Sequence, residues 1–92
     1  MLEVNNICNI NENIILKGIN KKFWALDSKS GTQYKLNELS FDILSLMNGS
    51  KSIGEIIEIQ YHKYNVEKDL LTKDILSFVN KSYEKGILVE VK

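Results

Sequence analysis

The chain has 92 residues, twelve lysines against twelve acidic residues, no arginine and zero formal net charge. That is one small domain, expected to be stable by roughly 5–10 kcal/mol, with no room for a second lobe or a deep two-domain active site. The charge balance argues against a sequence-specific DNA reader, which relies on a basic stripe and on arginine forks to guanine.

Residues 1–12 are polar and rich in asparagine, and are expected to form a loose start to the domain 1–92. Three strand signals follow. Ile14-Ile15-Leu16-Lys17 is a short apolar run that stops at Gly18. Lys22 to Asp27 alternates, with Phe23 and Ala25 on one face and Trp24 and Leu26 on the other. Asp27-Ser28-Lys29-Ser30-Gly31 is a turn cluster. Thr32 to Leu36 then alternates again, with Thr32, Tyr34 and Leu36 on one face and Gln33 and Lys35 on the other. This last run reads as an edge strand.

Asn37 is a strong helix cap, because its side-chain oxygen can accept an orphan backbone N–H. Leu39, Ile43, Leu46 and Met47 recur at helical spacing behind it, and Asn48-Gly49 is expected to end the first helix. Ser52-Ile53-Gly54-Glu55 is a capping box that opens a second helix. Its inner face would hold Ile53, Ile56, Ile57, Gln60, Tyr61 and Tyr64. A third helix is predicted from about Glu67 to Lys85, with Leu71, Ile75, Phe78, Val79 and Ser82 as its main stripe. Gly86 stops it, and Ile87 to Val91 alternates like a final strand. On this pattern the fold is α+β: a winged helix-turn-helix with a three-stranded N-terminal antiparallel sheet, three helices and a short C-terminal strand.

Catalytic chemistry is scarce. His62 is the only histidine and has no second zinc-type ligand near it in sequence. Cys8 is the only cysteine, with nothing local to activate it. The carboxylates suggest no acid–base pair in a cleft, and the glycines make no phosphate loop. No cofactor, metal site or catalytic residue is expected. The lone cysteine, the lack of an apolar signal segment and the lack of a run near the ~20 residues of a bilayer span point to a cytoplasmic protein with no membrane partner.

On the third helix, positions 72, 76, 80 and 83 fall on one line about 100° from the main stripe. Leu76 and Tyr83 there either widen the core or wall a groove beside the sheet edge. An edge strand next to helices is a docking slot for a peptide.

From about Ile14 to Val89 the chain resembles the PqqD-like family of precursor recognition elements for ribosomally made, modified peptides (RiPPs). The resemblance is carried by Leu26-Asp27, Gly31, Tyr34-Lys35-Leu36-Asn37, Ile43-Leu44, Asn48-Gly49, Ser52 to Ile57, Asp74 to Val79 and Gly86-Ile87-Leu88. It implies a peptide chaperone without enzyme activity that binds the leader segment of a precursor by strand addition. The leader would then be presented to a separate modifying enzyme, such as a radical SAM maturase or a lasso-type leader peptidase. By position, the resemblance implies peptide contacts at Thr32, Gln33, Tyr34, Lys35 and Leu36 on the strand, and at Lys73, Leu76, Asn80 and Tyr83 on the third helix. Gln60 and Ser82 stand where the family usually has leucine and should both face inward, either leaving a smaller or more polar core or hydrogen-bonding each other across the second and third helices. For Gln60 a partner, a water or partial exposure is expected. A winged-helix DNA-binding regulator and a structural subunit of a larger complex are the alternative readings.

Overall fold

The computed structural model describes residues 1–92. Its elements in chain order are β1 (Ile7–Ile10), β2 (Ile14–Ile19), β3 (Lys22–Asp27), β4 (Gln33–Leu36), α1 (Glu38–Leu46), β5 (Asn48–Ser52), α2 (Ile53–Lys63), α3 (Lys68–Glu84) and β6 (Leu88–Val91). The expected winged helix-turn-helix is present: β2, β3 and β4 form an antiparallel meander ahead of the three helices, and a strand closes the chain.

Turn chemistry sets the register of the meander. Asn20 and Lys21 both have positive φ, 51° and 62°, as a two-residue hairpin loop between twisted strands requires. At the next turn, Asp27 Oδ1 accepts from Asn13 Nδ2 at 2.8 Å and from the backbone N–H of Lys29 at 2.9 Å. These donors, Asn13 foremost, hold the Asp27 carboxyl below its usual range.

Local signals also place the helices. Asn37 Oδ1 accepts from the Ser40 N–H at 2.7 Å, and the Phe41 ring stacks on Phe23 with centroids 4.6 Å apart, pinning α1 to β3. The Ser52–Glu55 capping box is formed in both directions. At the end of α3, the Gly86 N–H donates to the Tyr83 carbonyl and the Ile87 N–H to the Ser82 carbonyl. Gly86 has φ 79°. This Schellman pattern turns the chain sharply into β6.

The N-terminal segment is not loose. β1 is the middle strand of a second antiparallel sheet, β5-β1-β6. Cys8 is fully buried and Leu2 is 4% exposed. The Val4 and Asn6 carbonyls accept from the Gly54 and Ile53 N–H groups at 2.8 and 2.9 Å, so the segment also satisfies orphan donors at the start of α2. Asn48-Gly49 does more than end α1. It opens β5, where Gly49 has φ 84° and a Cβ would meet Asn9 Nδ2 at 3.3 Å. Periodicity could not announce β5, because Asn48-Gly49-Ser50-Lys51-Ser52 has no apolar alternation and exists as a strand by pairing with β1.

The core joins the helices to both sheets through Ile43, Leu44, Met47, Ile53, Ile56, Ile75, Val79 and Leu88, all essentially inaccessible. The stripe Leu71, Ile75, Val79 and Ser82 is buried as expected. Tyr61 departs from expectation: it is 37% exposed rather than inward. Gln60 is 1% exposed and its Oε1 has no protein partner, contrary to expectation. No helix is long and apolar enough to cross a membrane.

Deleting residues 1–10 should cost several kcal/mol and leave the domain unfolded or nearly so in circular dichroism melts, since a domain of this size has little stability to lose. A dispensable arm would leave the melting temperature unchanged. Asp27 predicts a pH effect. Its folded pKa lies below the ordinary 3.8, so its contribution is present above that value and disappears as pH falls through the lower folded value. Asp27→Asn should therefore melt earlier than wild type at neutral pH, and the gap should close in acid.

Candidate functional site

Strand β4 pairs with β3 on one side only, in the register Leu26↔Gln33, Ala25↔Tyr34, Trp24↔Lys35 and Phe23↔Leu36. Just before it, the Thr32 carbonyl accepts from the Asp27 N–H at 2.9 Å. Antiparallel ladders alternate bonded and non-bonded pairs. Counting from that bond, Tyr34 and Leu36 turn their backbone groups to β3. Gln33 and Lys35 turn theirs, both N–H and both C=O, to the open edge. The side chains divide by face. Tyr34 and Leu36 pack against the core, while Gln33 and Lys35 are exposed.

Beside this edge lies a cleft of about 330 Å³. Gln33, Tyr34, Lys35 and Leu36 form one wall. Phe78, Lys81 and Ser82 of α3, with its C-cap Lys85 and Ile87 beyond, form the other. The Lys85 ammonium sits 5.6 Å from the centre of the Tyr34 ring, a cation–π contact across the cleft. The walls are therefore an apolar floor, an unpaired backbone edge and a lysine rim. No carboxylate lines them.

The structure brings the strand residues expected from the sequence to this cleft. Thr32 lies at its end, with its carbonyl already committed to the turn. The helix residues are not brought there. Leu76 packs against the core and, with Asn80, borders a depression containing Met1 on the other flank of α3. Asn80 clasps the N-terminal segment: its Oδ1 accepts from the Leu2 N–H at 2.7 Å, and its Nδ2 donates to the Leu2 and Leu76 carbonyls at 3.2 and 2.9 Å. Lys73 and Tyr83 are exposed, the latter at 43%, and line neither depression. The cleft side carries Phe78 of α3 and Lys85 at its C-cap instead, with Lys81 bordering both depressions. Phe78, counted in the main stripe from the sequence but only partly buried at its edge, was the available signal. Leu76 and Tyr83 drew attention to the side that the N-terminal segment covers.

Chemically reactive groups lie elsewhere. Cys8 is buried in the core, and burial, with Glu90 adding to it, pushes its thiol up. Asp42 accepts from the Lys63 ammonium and the Tyr64 hydroxyl, tying α1 to the end of α2. Burial and that bond raise the Tyr64 phenol. His62 is a solvated side chain 3.8 Å from Glu58. No group of three or more His, Cys, Asp or Glu side chains is gathered as a metal would need.

A winged helix-turn-helix with an open strand edge facing its third helix has the architecture of a peptide-docking module. The family described as Coenzyme PQQ synthesis protein D (PqqD) matches residues 24–88, and the chain belongs to that family. Similar curated proteins are the PqqA binding protein of Bradyrhizobium diazoefficiens (strain USDA 110), 25% identical over 61% of this chain and 54% of its own, and that of Gluconobacter oxydans (strain 621H), 33% identical over 50% and 48%. The chain thus spans about half the length of the curated relatives it matches. Among solved structures, TbiB1 in complex with the TbiA(beta) leader peptide superposes with TM-score 0.77 at 22% identity, covering 87% of this chain and 93% of that one. Lasso peptide synthetase B1 complexed with the leader peptide gives 0.78 at 21%, covering 89% and 96%. The heterocyclase TruD gives 0.64 at 23%, where 94% of this chain matches 12% of that one. The same fold therefore occurs alone and as a small part of a larger chain.

Asn80→Ala should cost about 1–2 kcal/mol through the bonds to Leu2 and should raise amide exchange at Leu2. Unchanged exchange there would show that the clasp does not hold the segment.

Proposed function

We propose that this protein binds the leader segment of a ribosomally synthesised precursor peptide by adding it as a strand to the free edge of β4, and presents it to a separate modifying enzyme. The observation that carries the reading is the pair of unbonded backbone positions, Gln33 and Lys35, facing a cleft closed on its far side by α3. Family membership and the leader-peptide complexes of two structural neighbours support it. Main-chain bonds supply affinity in this mode, and pockets for alternate side chains supply specificity.

The protein acts without catalysis of its own. Its contribution is to hold one end of the precursor so that the other reaches the enzyme at an effective concentration in the mM range for a short linker. The partner would be a maturase of the radical SAM type, a lasso-type leader peptidase or another leader-dependent enzyme. Cytoplasmic peptide modification fits a chain whose lone thiol is buried. The peptide site comprises Gln33, Tyr34, Lys35 and Leu36, with Phe78, Lys81 and Lys85 on the opposite wall.

Proline scanning tests strand addition. Gln33→Pro and Lys35→Pro each remove an N–H that points outward, so both should weaken leader binding at least tenfold in a fluorescence polarisation titration while shifting the melting temperature little. Tyr34→Pro removes an N–H bonded to β3 and should destabilise the domain itself. Full leader affinity in the Gln33→Pro and Lys35→Pro proteins would falsify strand addition.

A further inference from the structure

Three lysines, Lys35, Lys81 and Lys85, line the cleft, and none of the chain's twelve acidic residues does. None of the three forms an ion pair, whereas Lys63 and Lys68 are matched with Asp42 and Glu58 elsewhere on the surface. Helix polarity accounts for lysines near the end of α3, but Lys81 and Lys85 stand four apart on one face, where like charges repel. It does not account for Lys35, which sits on a strand. In a chain of zero net charge, this local excess is a property of the site.

The faces of β4 say where compensating charge would lie. A strand laid along Gln33 and Lys35 sends alternate side chains inward and outward. Inward ones meet Tyr34, Leu36 and Phe78, which are part-buried and apolar. Outward ones lie on the same face as Lys35, where an opposite-charge cross-strand pair is favourable. Lys81 and Lys85 hold the mouth between the added strand and α3.

The geometry points to a ligand of one chemical class: an extended acidic peptide segment whose outward carboxylates pair with Lys35, whose aliphatic residues between them rest on Tyr34, Leu36 and Phe78, and whose further carboxylates at the α3 side of the cleft are taken by Lys81 and Lys85. This inference rests on the strand-addition reading and adds to it which leaders the site selects. Charge would serve selection and encounter rate as well as affinity, so acidic preference should weaken with salt.

The test uses a random peptide library displayed on yeast and sorted against the labelled full chain at low and at high salt. The expected result is enrichment of Asp and Glu by about fivefold over input at alternate positions, with aliphatic residues between them. The bias should shrink at high salt, vanish against the K35Q/K81Q/K85Q protein and reverse toward lysine against K35E/K81E/K85E. All three lysines are exposed, and the glutamine variant keeps the test valid if charge reversal harms folding. Enriched peptides that carry no acidic bias but fail to bind Lys35→Pro would overturn this inference and leave strand addition standing. Enriched peptides that bind Lys35→Pro as well as wild type would overturn strand addition and the inference with it. A library that yields no binders would overturn both.

Discussion

The backbone pairing of β1 with β5 and β6 is the constraint on which the rest depends. These three strands come from the start, the middle and the end of the chain. Their pairing fixes where α2 begins, because β5 runs directly into its cap and the Val4 and Asn6 carbonyls meet its first N–H groups. It also fixes where α3 ends, because the Schellman turn at Gly86 delivers the chain into β6, and the Asn11 side chain holds the Gly86 carbonyl at 3.0 Å. The second sheet therefore anchors both ends of the two-helix unit that stands opposite β4. A cleft between β4 and α3 has a definite width only because α3 is held from behind.

The meander of β2, β3 and β4 solves a different problem. An open strand edge is an aggregation hazard, and proteins usually blunt it with charge, brevity or a cover. Here β4 is four residues long and carries Lys35 outward, which discourages edge-to-edge pairing between copies of the chain. Those features leave the outward N–H and C=O groups free, and α3 stands beside the edge without covering it. The edge is guarded against its own kind and accessible to a strand of opposite charge. Its rigidity comes from the turns at Asn20-Lys21 and Asp27 and from the Phe23–Phe41 stack beneath, so little ordering of the protein is left to be done on binding.

Most elements were legible in the sequence because their determinants are local. The alternation of Lys22–Asp27 and Thr32–Leu36, the Asn37 cap, the Ser52–Glu55 box and the Leu71–Ile75–Val79–Ser82 stripe each depend on residues within a few positions, and each stands in the structure as read. The strand half of the candidate site was legible for the same reason: edge residues of a hairpin can be counted from its turn. β1 and β5 were missed because neither carries a strand signature of its own. Each is a strand through partners more than thirty-five residues away.

The third helix marks the boundary between the two kinds of knowledge. Sequence by itself determined its length, its buried stripe and its stop at Gly86, since 3.6-residue periodicity and capping are properties of the segment. It also determined that the domain would be neutral, arginine-free and poor in catalytic groups. Which flank of that helix faces β4 was decided only by tertiary structure. Periodicity orders residues around an axis, but it does not say what lies on either side. The N-terminal segment takes the flank of Leu76 and Asn80, bound through Leu2, and leaves Phe78 and Lys85 to the cleft, with Lys81 standing between the two. That choice rests on hydrogen bonds between residues seventy-eight positions apart, a distance at which no local pattern carries information.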